Sequence, residues 1–497
     1  MASLSKSLPK ICVALGLPDC ESLTRAADRE IKNGSSFLEF RLDYLNSPEA
    51  GTQVIKKLSN RQPDTHILAT CRRNVNHGGY NGSIADQLGI LSRAIQAGAH
   101  AVDLEIETAE RAAKKLAGLR SNAALVVSYH NFESTPALSQ AWRRLRRIEA
   151  DAYKLVTTAR RPADNLRIIE FFRAKHDVPL IAFAMGEMGV PTRVLSLAAG
   201  CSFTYAGPVD TEGTAPGQLP ANLMRNLYRA EKLSRHTKIY GVIADPVAHS
   251  KSPLIHNRAL QARRIDAVYL PFRVAASSLG EWMKLAEALP VAGFSVTIPH
   301  KQRMMHYVDS IDPLARRIGA INTVSRKAGK WRGTNTDVGG ILRPLEKHVR
   351  IAHSRILLAG YGGAARAAAF ALRDAGADLT ITGRNLSTAQ SLAKATGSTV
   401  ASLSDAVNSS YDILINATPV GMHPQREESF FPEVIPAGIV FDMVYNPHET
   451  ALIRHALSQR KTVIHGIEMF LEQAAQQFEI WTGESCPRAV MRRAFED

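Results

Sequence analysis

Cysteine is scarce in this chain of 497 residues, and its five cysteines are scattered: Cys12, Cys20, Cys71, Cys201 and Cys486. Their odd number and the lack of any Cys-x-x-Cys pair argue against a disulfide framework and against a structural zinc site. No apolar run approaches the roughly 18 residues that a membrane span needs. These absences indicate a globular protein of a reducing compartment with no membrane partner.

Aromatic residues make up only 6% of the chain, and no basic tail accompanies its formal net charge of +15. Residues 1–235 hold 31 Lys and Arg against 23 Asp and Glu, and the remainder holds 30 against 23. Nucleic-acid-binding proteins usually concentrate positive charge and interleave it with aromatics. The even spread predicts no nucleic-acid partner and favours small anionic substrates, which a diffuse positive field attracts.

Hydrophobic patterning divides the chain into regions. Over residues 8–225, eight β-like runs alternate with amphipathic helical stretches, which predicts a (β/α)8 barrel and leaves a doubly wound sheet as the alternative. Further α/β regions cover 237–340 and 341–464, and the helical segment 465–497 is expected to complete the first of these two. The eight runs are Ile11–Leu17, Phe37–Leu42, His66–Cys71, Ala101–Glu107, Ala124–Ser128, Ala152–Thr157, Leu180–Ala184 and Ser202–Ala206.

Charged residues alternate along two of the predicted barrel strands. Glu39, Arg41 and Asp43 fall at a period of two and therefore share one strand face. In a barrel the outer face packs on helices, so these charges must point inward, where they pair or hold a polar ligand. The same pattern recurs at Asp103, Glu105 and Glu107.

Two ionisable residues stand within or at the end of apolar strands, namely His130 and Lys154. Desolvation disfavours the ammonium form of a lysine and so favours its nucleophilic amine. An amine with a neighbouring imidazole suits imine formation coupled to proton transfer. The alternative is that Lys154 extends its charge to solvent and His130 is a hydrogen-bonded core residue.

The motifs of this half, taken together, resemble those of type I 3-dehydroquinate dehydratases. The resemblance covers most of residues 10–220. It is carried by Glu39–Asp43, by Asp103–Ile106 followed 18 residues later by Leu125–Asn131, by Tyr153–Leu155, by Met185–Gly189 before Arg193, and by Ala215–Gln218.

This resemblance implies that Lys154 forms a Schiff base with the C3 ketone of 3-dehydroquinate. It implies that His130 removes the C2 proton and then protonates the departing C1 hydroxyl. Arg193 is expected to anchor the carboxylate, because a guanidinium fork matches its geometry. Two positions depart from the family: His77 replaces the usual Glu, and Thr214 replaces the lid serine. The implied substrate-binding residues are Glu39, Arg41, Arg72, Arg193, Thr214 and Gln218.

A glycine turn follows the predicted strand Arg355–Ala359 and opens an alanine-rich helix. Gly360, Gly362 and Ala365 match the G-x-G-x-x-A pattern, in which backbone N–H groups at a helix N-terminus bind a pyrophosphate. The next strand ends at Arg384, where an NAD site carries an acid, and a cation there favours the 2′-phosphate of NADP(H). The alternatives are an incidental glycine turn and a solvent-exposed arginine.

Residues 237–497 resemble shikimate dehydrogenases, a two-lobed family with an α/β substrate lobe and a Rossmann NADP lobe. Each motif of this region, taken alone, is also typical of an ordinary turn or helix cap. Together they are specific: Ser250–Pro253, Ser295–Lys301, Gly319–Thr323, Asn335–Asp337, Asn416–Met422, Asp442–Pro447 and Gly466–Ala474.

This second resemblance implies a catalytic pair, in which Lys301 handles the proton at the C3 oxygen and Asp337 orients and tunes it. Ser295 and Thr388 depart from the Asn and the second Arg common in the family. The implied substrate-binding residues are Ser250, Ser252, Thr297, Asn322, Tyr445 and Gln473. The implied cofactor-binding residues are Gly360, Gly362, Gly363, Ala364, Arg384, Asn385, Thr418, Gly466 and Met469.

The sequence therefore predicts a bifunctional shikimate-pathway enzyme without a metal. Its substrates would be 3-dehydroquinate and 3-dehydroshikimate, its product shikimate and its cofactor NADP(H). A monomer or homodimer in the cytoplasm is expected, since no transit peptide is evident. Two alternatives stay open: a quinate dehydrogenase in the second half, and a metabolite sensor with inactive sites.

Overall fold

The computed structural model describes residues 8–174, 176–209, 213–422 and 425–496. The described chain divides into two compact units. One extends to Ile239 and includes Asp266–Pro290, and the other comprises Tyr240–Ile265 and everything from Val291 onward. No helix in these described ranges is long and apolar enough to cross a bilayer.

Eight parallel strands of the first unit form a nearly closed barrel, ordered β7-β6-β5-β4-β3-β2-β1-β8. The pairing of β1 with β8 confirms the barrel and excludes the doubly wound sheet. Its strands are β1 Ile11–Leu15, β2 Phe37–Arg41, β3 His66–Thr70, β4 Ala101–Glu105, β5 Ala124–His130, β6 Ala152–Thr158, β7 Leu180–Met185 and β8 Thr204–Ala206. Its helices are α1 Cys20–Lys32, α2 Gly51–Arg61, α3 Ile84–Gln96, α4 Ile106–Arg111, α5 Leu116–Arg120, α6 Leu138–Leu145, α7 Pro162–Phe171 and α8 Val190–Ala199.

The charged alternation of two barrel strands is shorter than predicted. Strand β4 ends at Glu105, and Glu107 lies in the first turn of α4, where it pairs with Arg144 at 3.0 Å near the surface. Strand β2 likewise ends at Arg41, and Asp43 lies in a short 3₁₀ turn. Alternation with a period of two places residues on one face only while the backbone stays extended. After β2 and after β4 the backbone becomes helical, so Asp43 and Glu107 leave that face.

The second half contains two six-stranded sheets. The first sheet is mixed, in the order β10-β9-β11-β13-β14-β12. Its strands are β9 Lys238–Ala244, β10 Ala267–Arg273, β11 Val291–Val296, β12 Ser310–Ile311, β13 Thr323–Lys327 and β14 Lys330–Thr334. The helices along this stretch are α9 Ser252–Ala262, α10 Leu279–Ala288, α11 Pro313–Ile318 and α12 Asp337–Glu346.

The second sheet is parallel throughout, in the order β17-β16-β15-β18-β19-β20, which is the doubly wound dinucleotide-binding topology. Its strands are β15 Arg355–Ala359, β16 Asp378–Thr382, β17 Thr399–Val400, β18 Tyr411–Asn416, β19 Ala437–Asp442 and β20 Thr462–Ile464. Its helices are α13 Gly363–Asp374, α14 Leu386–Thr396, α15 Leu403–Val407 and α16 Ala451–Ser458, and α17 Gly466–Thr482 and α18 Arg488–Glu496 follow.

Helix α17 packs on strand β13 of the mixed sheet. The Trp481 indole donates a hydrogen bond to the Val324 carbonyl at 2.9 Å, and the Gln477 amide donates to the Thr323 hydroxyl at 3.0 Å. Strand β13 is thereby fixed to α17. The same helix carries Gln473 toward Asn322, whose amide lies 3.4 Å from the Gln473 carbonyl oxygen.

Two candidate active sites

One cavity lies inside the barrel, and side chains from several strands and following loops line it. Such convergence at the strand ends is where (β/α)8 barrels carry their chemistry. The cavity brings together the eight residues that the resemblance implied for catalysis and substrate binding in this half: Glu39, Arg41, Arg72, His130, Lys154, Arg193, Thr214 and Gln218.

Lys154 occupies the middle of β6 and is 5% exposed. Its Nζ donates a hydrogen bond to Asp103 Oδ2 at 3.1 Å and lies 3.9 Å from Glu39 Oε1. Burial alone would raise the pKa of Asp103, but Lys154 and Arg72 lower it, so Asp103 stays ionised. The lysine nitrogen is thus buried, as the sequence suggested, and lies beside two carboxylates.

The inward charges of β2 are paired, as expected for buried ions. Arg41 forms two hydrogen bonds with Asp43, at 3.0 and 2.8 Å, and Gly79 N donates to the same carboxylate at 3.1 Å. Burial lowers the pKa of Arg41, but the charge and hydrogen bond of Asp43, together with Glu39 and Tyr44, raise it above its usual value. Glu39 accepts a hydrogen bond from the Thr70 hydroxyl at 2.7 Å, which fixes its carboxylate beside Lys154.

His130 ends β5, two positions after Ser128, which is paired in register with Lys154. Desolvation lowers the pKa of His130 well below 6.5, and the charges of Arg72, Lys154, Arg41 and His77 lower it further. The imidazole is therefore neutral at physiological pH, which is the form that can accept a proton.

His77 lies in the cavity lining at the end of a 3₁₀ turn, Asn74–Asn76, and has a left-handed backbone with φ of 59°. Its ring packs on Phe132 at 4.3 Å between centroids, and Phe132 stacks on His130 at 5.8 Å. The neighbouring Asn76 amide donates to Glu105 Oε1 at 3.0 Å, which ties the loop to β4. An aromatic stack thus stands where the family carries a carboxylate.

Arg193 is 1% exposed, and the described residues show no carboxylate paired with it. Its guanidinium packs over the Phe183 ring at 4.7 Å and donates to the Pro216 carbonyl at 3.1 Å. Desolvation lowers its pKa, yet a guanidinium keeps its charge in proteins. A buried cation that lacks an anion is suited to a substrate carboxylate.

Thr214 and Gln218, which follow β8 in the chain, also line this cavity. The Thr214 backbone N–H donates to Gln218 Oε1 at 2.7 Å, and the Gln218 amide reaches the Thr214 hydroxyl at 3.3 Å. Thr214 and Gln218 thus hold each other in place at the cavity.

A second pair of ionised groups lies in the other unit. Lys301 Nζ donates to Asp337 Oδ2 at 2.5 Å, and the Asn322 amide donates to Asp337 Oδ1 at 2.7 Å. Asp337 begins α12, where the helix N-terminus favours a negative charge. Both carboxylate oxygens are thereby fixed, and so is the lysine nitrogen.

Of the other predicted substrate-binding residues of this half, Asn322 contacts Asp337, and Gln473 contacts Asn322. The remaining four have contacts of their own. Ser250 accepts a hydrogen bond from Ser252 N at 3.3 Å, just before and at the start of α9. Burial raises the pKa of Tyr445 to about 12, although its hydrogen bond with Ser250 lowers it. Tyr445 stacks on Phe470 at 4.2 Å, while Thr297 directly follows β11.

The glycine turn begins with Gly360, whose φ of 118° favours glycine and whose added Cβ would lie 3.0 Å from the Ala417 carbonyl. Gly362 caps α13, and the space beside it is open. A Cβ on Gly363 would lie 3.0 Å from Lys301 Cδ. The first turn of α13 therefore lies directly against the lysine, with Ala364 following.

The remaining predicted cofactor-binding residues follow the carboxyl ends of the parallel strands, except for Met469. Arg384 is exposed after β16, and Asn385 accepts a hydrogen bond from Thr388 N as the cap of α14. The Thr418 hydroxyl donates to Asn416 Oδ1 at 2.7 Å. Gly466 has no room for a side chain, since a Cβ would lie 2.4 Å from the Val444 carbonyl. Met469 packs into the core of the parallel sheet.

Sequence reasoning did not assign Asp103, Tyr205 or Phe132 to a site. Asp103 belongs to a recognised alternation, and its partner becomes visible only when β4 and β6 are placed in one barrel. Tyr205 and Phe132 line the cavity without any motif to mark them. In the part of the chain that the structure describes, no cluster of three His, Cys, Asp or Glu side chains could hold a metal ion.

Models of known families match successive parts of the chain. The type I 3-dehydroquinase model matches residues 11–235, and the shikimate dehydrogenase substrate-binding domain matches 242–324. The NADPH-binding domain of acetohydroxy acid isomeroreductase matches 350–436, which includes the glycine turn. The C-terminal domain of shikimate 5′-dehydrogenase matches 466–494.

Whole proteins show the same likeness. A shikimate dehydrogenase solved in complex with NADP+ is 36% identical and covers 53% of this chain and 96% of its own, with a TM-score of 0.51. The Aquifex aeolicus shikimate dehydrogenase is 32% identical, covers 53% of this chain and 100% of its own, and has a TM-score of 0.50.

Among curated proteins, the shikimate dehydrogenase (NADP(+)) of Bacillus cereus strain 03BB102 is 42% identical over 50% of this chain and 93% of its own. The chloroplastic bifunctional 3-dehydroquinate dehydratase/shikimate dehydrogenase of Arabidopsis thaliana is 32% identical over 97% of this chain and 83% of its own. This likeness spans both units, so the chain belongs to the family of bifunctional 3-dehydroquinate dehydratase/shikimate dehydrogenases.

Proposed function

We propose that the chain dehydrates 3-dehydroquinate in the barrel and reduces the resulting 3-dehydroshikimate to shikimate with NADPH in the second unit. The observation that carries this proposal is the presence of two intact lysine centres of different construction. One combines Lys154 with a neutral His130 inside a barrel cavity, and the other joins Lys301 to Asp337 beside a dinucleotide turn. Inactive sites would be expected to lose such costly buried charges.

The dehydration begins at the Lys154 nitrogen. Its amine, after proton loss, attacks the C3 carbonyl, and the oxygen leaves as water to give an iminium. Because the iminium withdraws electrons, the C2 proton becomes acidic, and neutral His130 removes it. His130, now an imidazolium, then protonates the C1 hydroxyl, which departs as water. Hydrolysis of the imine releases 3-dehydroshikimate and restores Lys154.

Substrate binding in the barrel rests on complementary charge. Arg193 is a buried cation of the cavity lining for which the described chain shows no carboxylate partner, so it anchors the substrate carboxylate. Glu39, Arg41 and Arg72 face the cavity with fixed polar groups that suit ring hydroxyls. Thr214 and Gln218 close the cavity from the loop after β8.

In the second unit the chain's own residues bind, orient and move a proton. Lys301 transfers a proton to the C3 oxygen, and Asp337, held by Asn322, fixes the direction of that transfer. The Ser250 and Ser252 hydroxyls bind the carboxylate. Ring hydroxyls and the substrate side are held by Thr297, Asn322, Gln473 and Tyr445.

The residues beside Lys301 fit NADP(H). The open space at Gly362, at the N-terminus of α13, leaves backbone N–H groups free to approach a pyrophosphate. Arg384, exposed after the next strand, suits a 2′-phosphate. NADPH supplies a hydride when bound. The pyrophosphate is held by Gly360, Gly362, Gly363 and Ala364, and the remaining contacts come from Asn385, Thr418, Gly466 and Met469.

The proposal also assigns the parts of the chain. Residues 8–225 form the dehydratase barrel, 237–340 with 465–497 the substrate lobe, and 341–464 the Rossmann NADP lobe. The protein works as a monomer or homodimer in the cytoplasm, without nucleic acid. Its five free cysteines suit a reducing compartment.

A coupled assay tests the two activities in one preparation. With 3-dehydroquinate and NADPH the intact chain is expected to form shikimate, with 3-dehydroshikimate as an intermediate. Shikimate is expected to be oxidised with a higher kcat/KM than quinate, because quinate carries an added hydroxyl beside the carboxylate that Ser250 and Ser252 bind. If neither reaction is catalysed, the proposal fails, and a preference for quinate assigns the second unit to quinate oxidation.

A further inference from the structure

The Lys154 nitrogen lies against an aromatic face that has no role in the mechanism above. Nζ is 3.9 Å from the centroid of the Tyr205 ring. Tyr205 is 2% exposed and stands on β8, in register with Cys12 of β1. It therefore contacts the nitrogen at which the covalent bond forms.

Tyr205 completes one layer of the barrel interior. Barrel cores are built in layers of four side chains from alternate strands. Here the even-numbered strands supply Glu39 from β2, Asp103 from β4, Lys154 from β6 and Tyr205 from β8. The Lys154 Nζ lies 3.9 Å from Glu39 Oε1, 3.1 Å from Asp103 Oδ2 and 3.9 Å from the centroid of the Tyr205 ring. One cation is thus enclosed by two carboxylates and one π face.

The ring face, not the hydroxyl, makes this contact. Within the described ranges the Tyr205 hydroxyl is buried without a hydrogen-bond partner. Burial raises the pKa of Tyr205 well above 10, and the charges of Glu39 and Asp103 raise it further, so the phenol stays neutral. A neutral aromatic ring attracts a cation over its face, most strongly where water is excluded.

The reaction changes how many hydrogen bonds the nitrogen can donate. An ammonium carries three N–H groups and can donate hydrogen bonds to both carboxylates. The iminium nitrogen retains one N–H and can donate to only one of them. A π face stabilises positive charge without requiring any N–H. We propose that the Tyr205 ring is a cation-binding face that stabilises the iminium on Lys154, an inference that rests on the proposed Schiff-base dehydration.

A series of rings at position 205 in the full-length chain tests this proposal. Phenylalanine, mono-, tri- and pentafluorophenylalanine and leucine would replace Tyr205. The measured quantity is the initial rate at which borohydride fixes 3-dehydroquinate on Lys154, followed by intact mass and peptide mapping. Fluorine withdraws electron density from the ring face and changes the shape of the ring little. The packing of the ring is therefore kept while its electrostatic attraction for the cation is lost.

We expect Tyr205→Phe to trap within about twofold of the native rate, and each added fluorine to lower it. Tyr205→Leu and the pentafluoro ring should lower it by about 10- to 30-fold, the range for a desolvated cation–π contact. The same fluorination of Phe203, a buried ring 5.5 Å from Tyr205 and outside the cavity lining, should leave trapping unchanged.

Equal trapping rates across the Tyr205 series would overturn the proposal and leave Tyr205 as a packing residue. A loss in Tyr205→Phe as large as in the fluorinated rings would also overturn it, because the hydroxyl would then be the active part. Shikimate oxidation in each preparation measures the amount of folded chain. If the native protein dehydrates substrate without any Lys154 adduct, the Schiff-base mechanism itself fails, and this inference fails with it.

Discussion

Each unit builds its proposed chemistry on a lysine paired with an aspartate, yet the two pairs differ in construction. The side chains of Lys154 and Asp103 are 6% and 1% exposed, and Glu39 and Tyr205 enclose the same nitrogen. The side chains of Lys301 and Asp337 are 14% and 4% exposed, and the aspartate is held by one amide at a helix start. In the proposed mechanism, the enclosed Lys154 nitrogen forms the iminium and Lys301 transfers a proton. The two roles are thus assigned from the surroundings of each lysine.

The largest effect is expected from removing the barrel lysine. Lys154→Ala should lower kcat for dehydration by roughly 10⁴-fold or more, as loss of a covalent nucleophile does. Shikimate oxidation by the same preparation should stay within about twofold, because its lysine is a separate group. Steady-state assays of both reactions measure this. If Lys154→Ala still dehydrated its substrate, Lys154 would not be the covalent nucleophile, and the proposed difference in role between the two lysines would be wrong.

The second lysine should show the reverse pattern. Lys301→Ala is expected to lower kcat for shikimate oxidation by about 10²- to 10⁴-fold, the usual contribution of general acid–base catalysis. Asp337→Asn should cost less than Lys301→Ala, since it loosens the lysine without removing it. Dehydration serves as the control in both variants and should not change. A fall in dehydration would mean that the two centres are not independent.

The two centres should also differ in their response to acid. The pKa of His130 is lowered by desolvation and then by Arg72, Lys154, Arg41 and His77, so its base form persists below pH 6.5. The kcat/KM for dehydration should fall only as the pH drops through this lowered value. His77→Glu replaces a neighbouring positive contribution by a carboxylate, which raises the pKa of His130 and moves the acid limb to higher pH.

His77→Gln separates charge from shape in that experiment. Its acid limb should lie between those of the native protein and His77→Glu, since it adds no negative charge. An acid limb that is the same in all three proteins would show that the aromatic stack on Phe132, not charge, governs His130.

The smallest effect concerns the cofactor of the second centre. Arg384→Ala should raise the KM for NADPH by about tenfold, the value of one hydrogen bond to a charged group. The KM for NADH should change little, because NADH lacks the 2′-phosphate. Measuring both cofactors in one variant separates phosphate recognition from general damage. Equal increases in the KM values for NADPH and NADH would show that Arg384 does not recognise the 2′-phosphate.

The sequence predicted the eight barrel strands, the glycine turn and the helix of 465–497, because each depends on a periodic or local signal. Glu107 was wrongly placed in a strand, because its alternation continues after the backbone turns into α4. The cluster around Lys154 could be predicted only in part. Its residues lie on alternate strands far apart in the chain, and Tyr205 carries no motif that marks it as a neighbour of an amine.

Borohydride reduction of the native chain with 3-dehydroquinate, followed by peptide mapping, tests the account most directly. We predict an adduct on Lys154 alone, with dehydration lost in proportion to the adduct and shikimate oxidation retained in the same molecules. An adduct on Lys301, or unmodified Lys154 in a chain that still dehydrates its substrate, would contradict the assignment of covalent chemistry to the enclosed lysine and proton transfer to the open one.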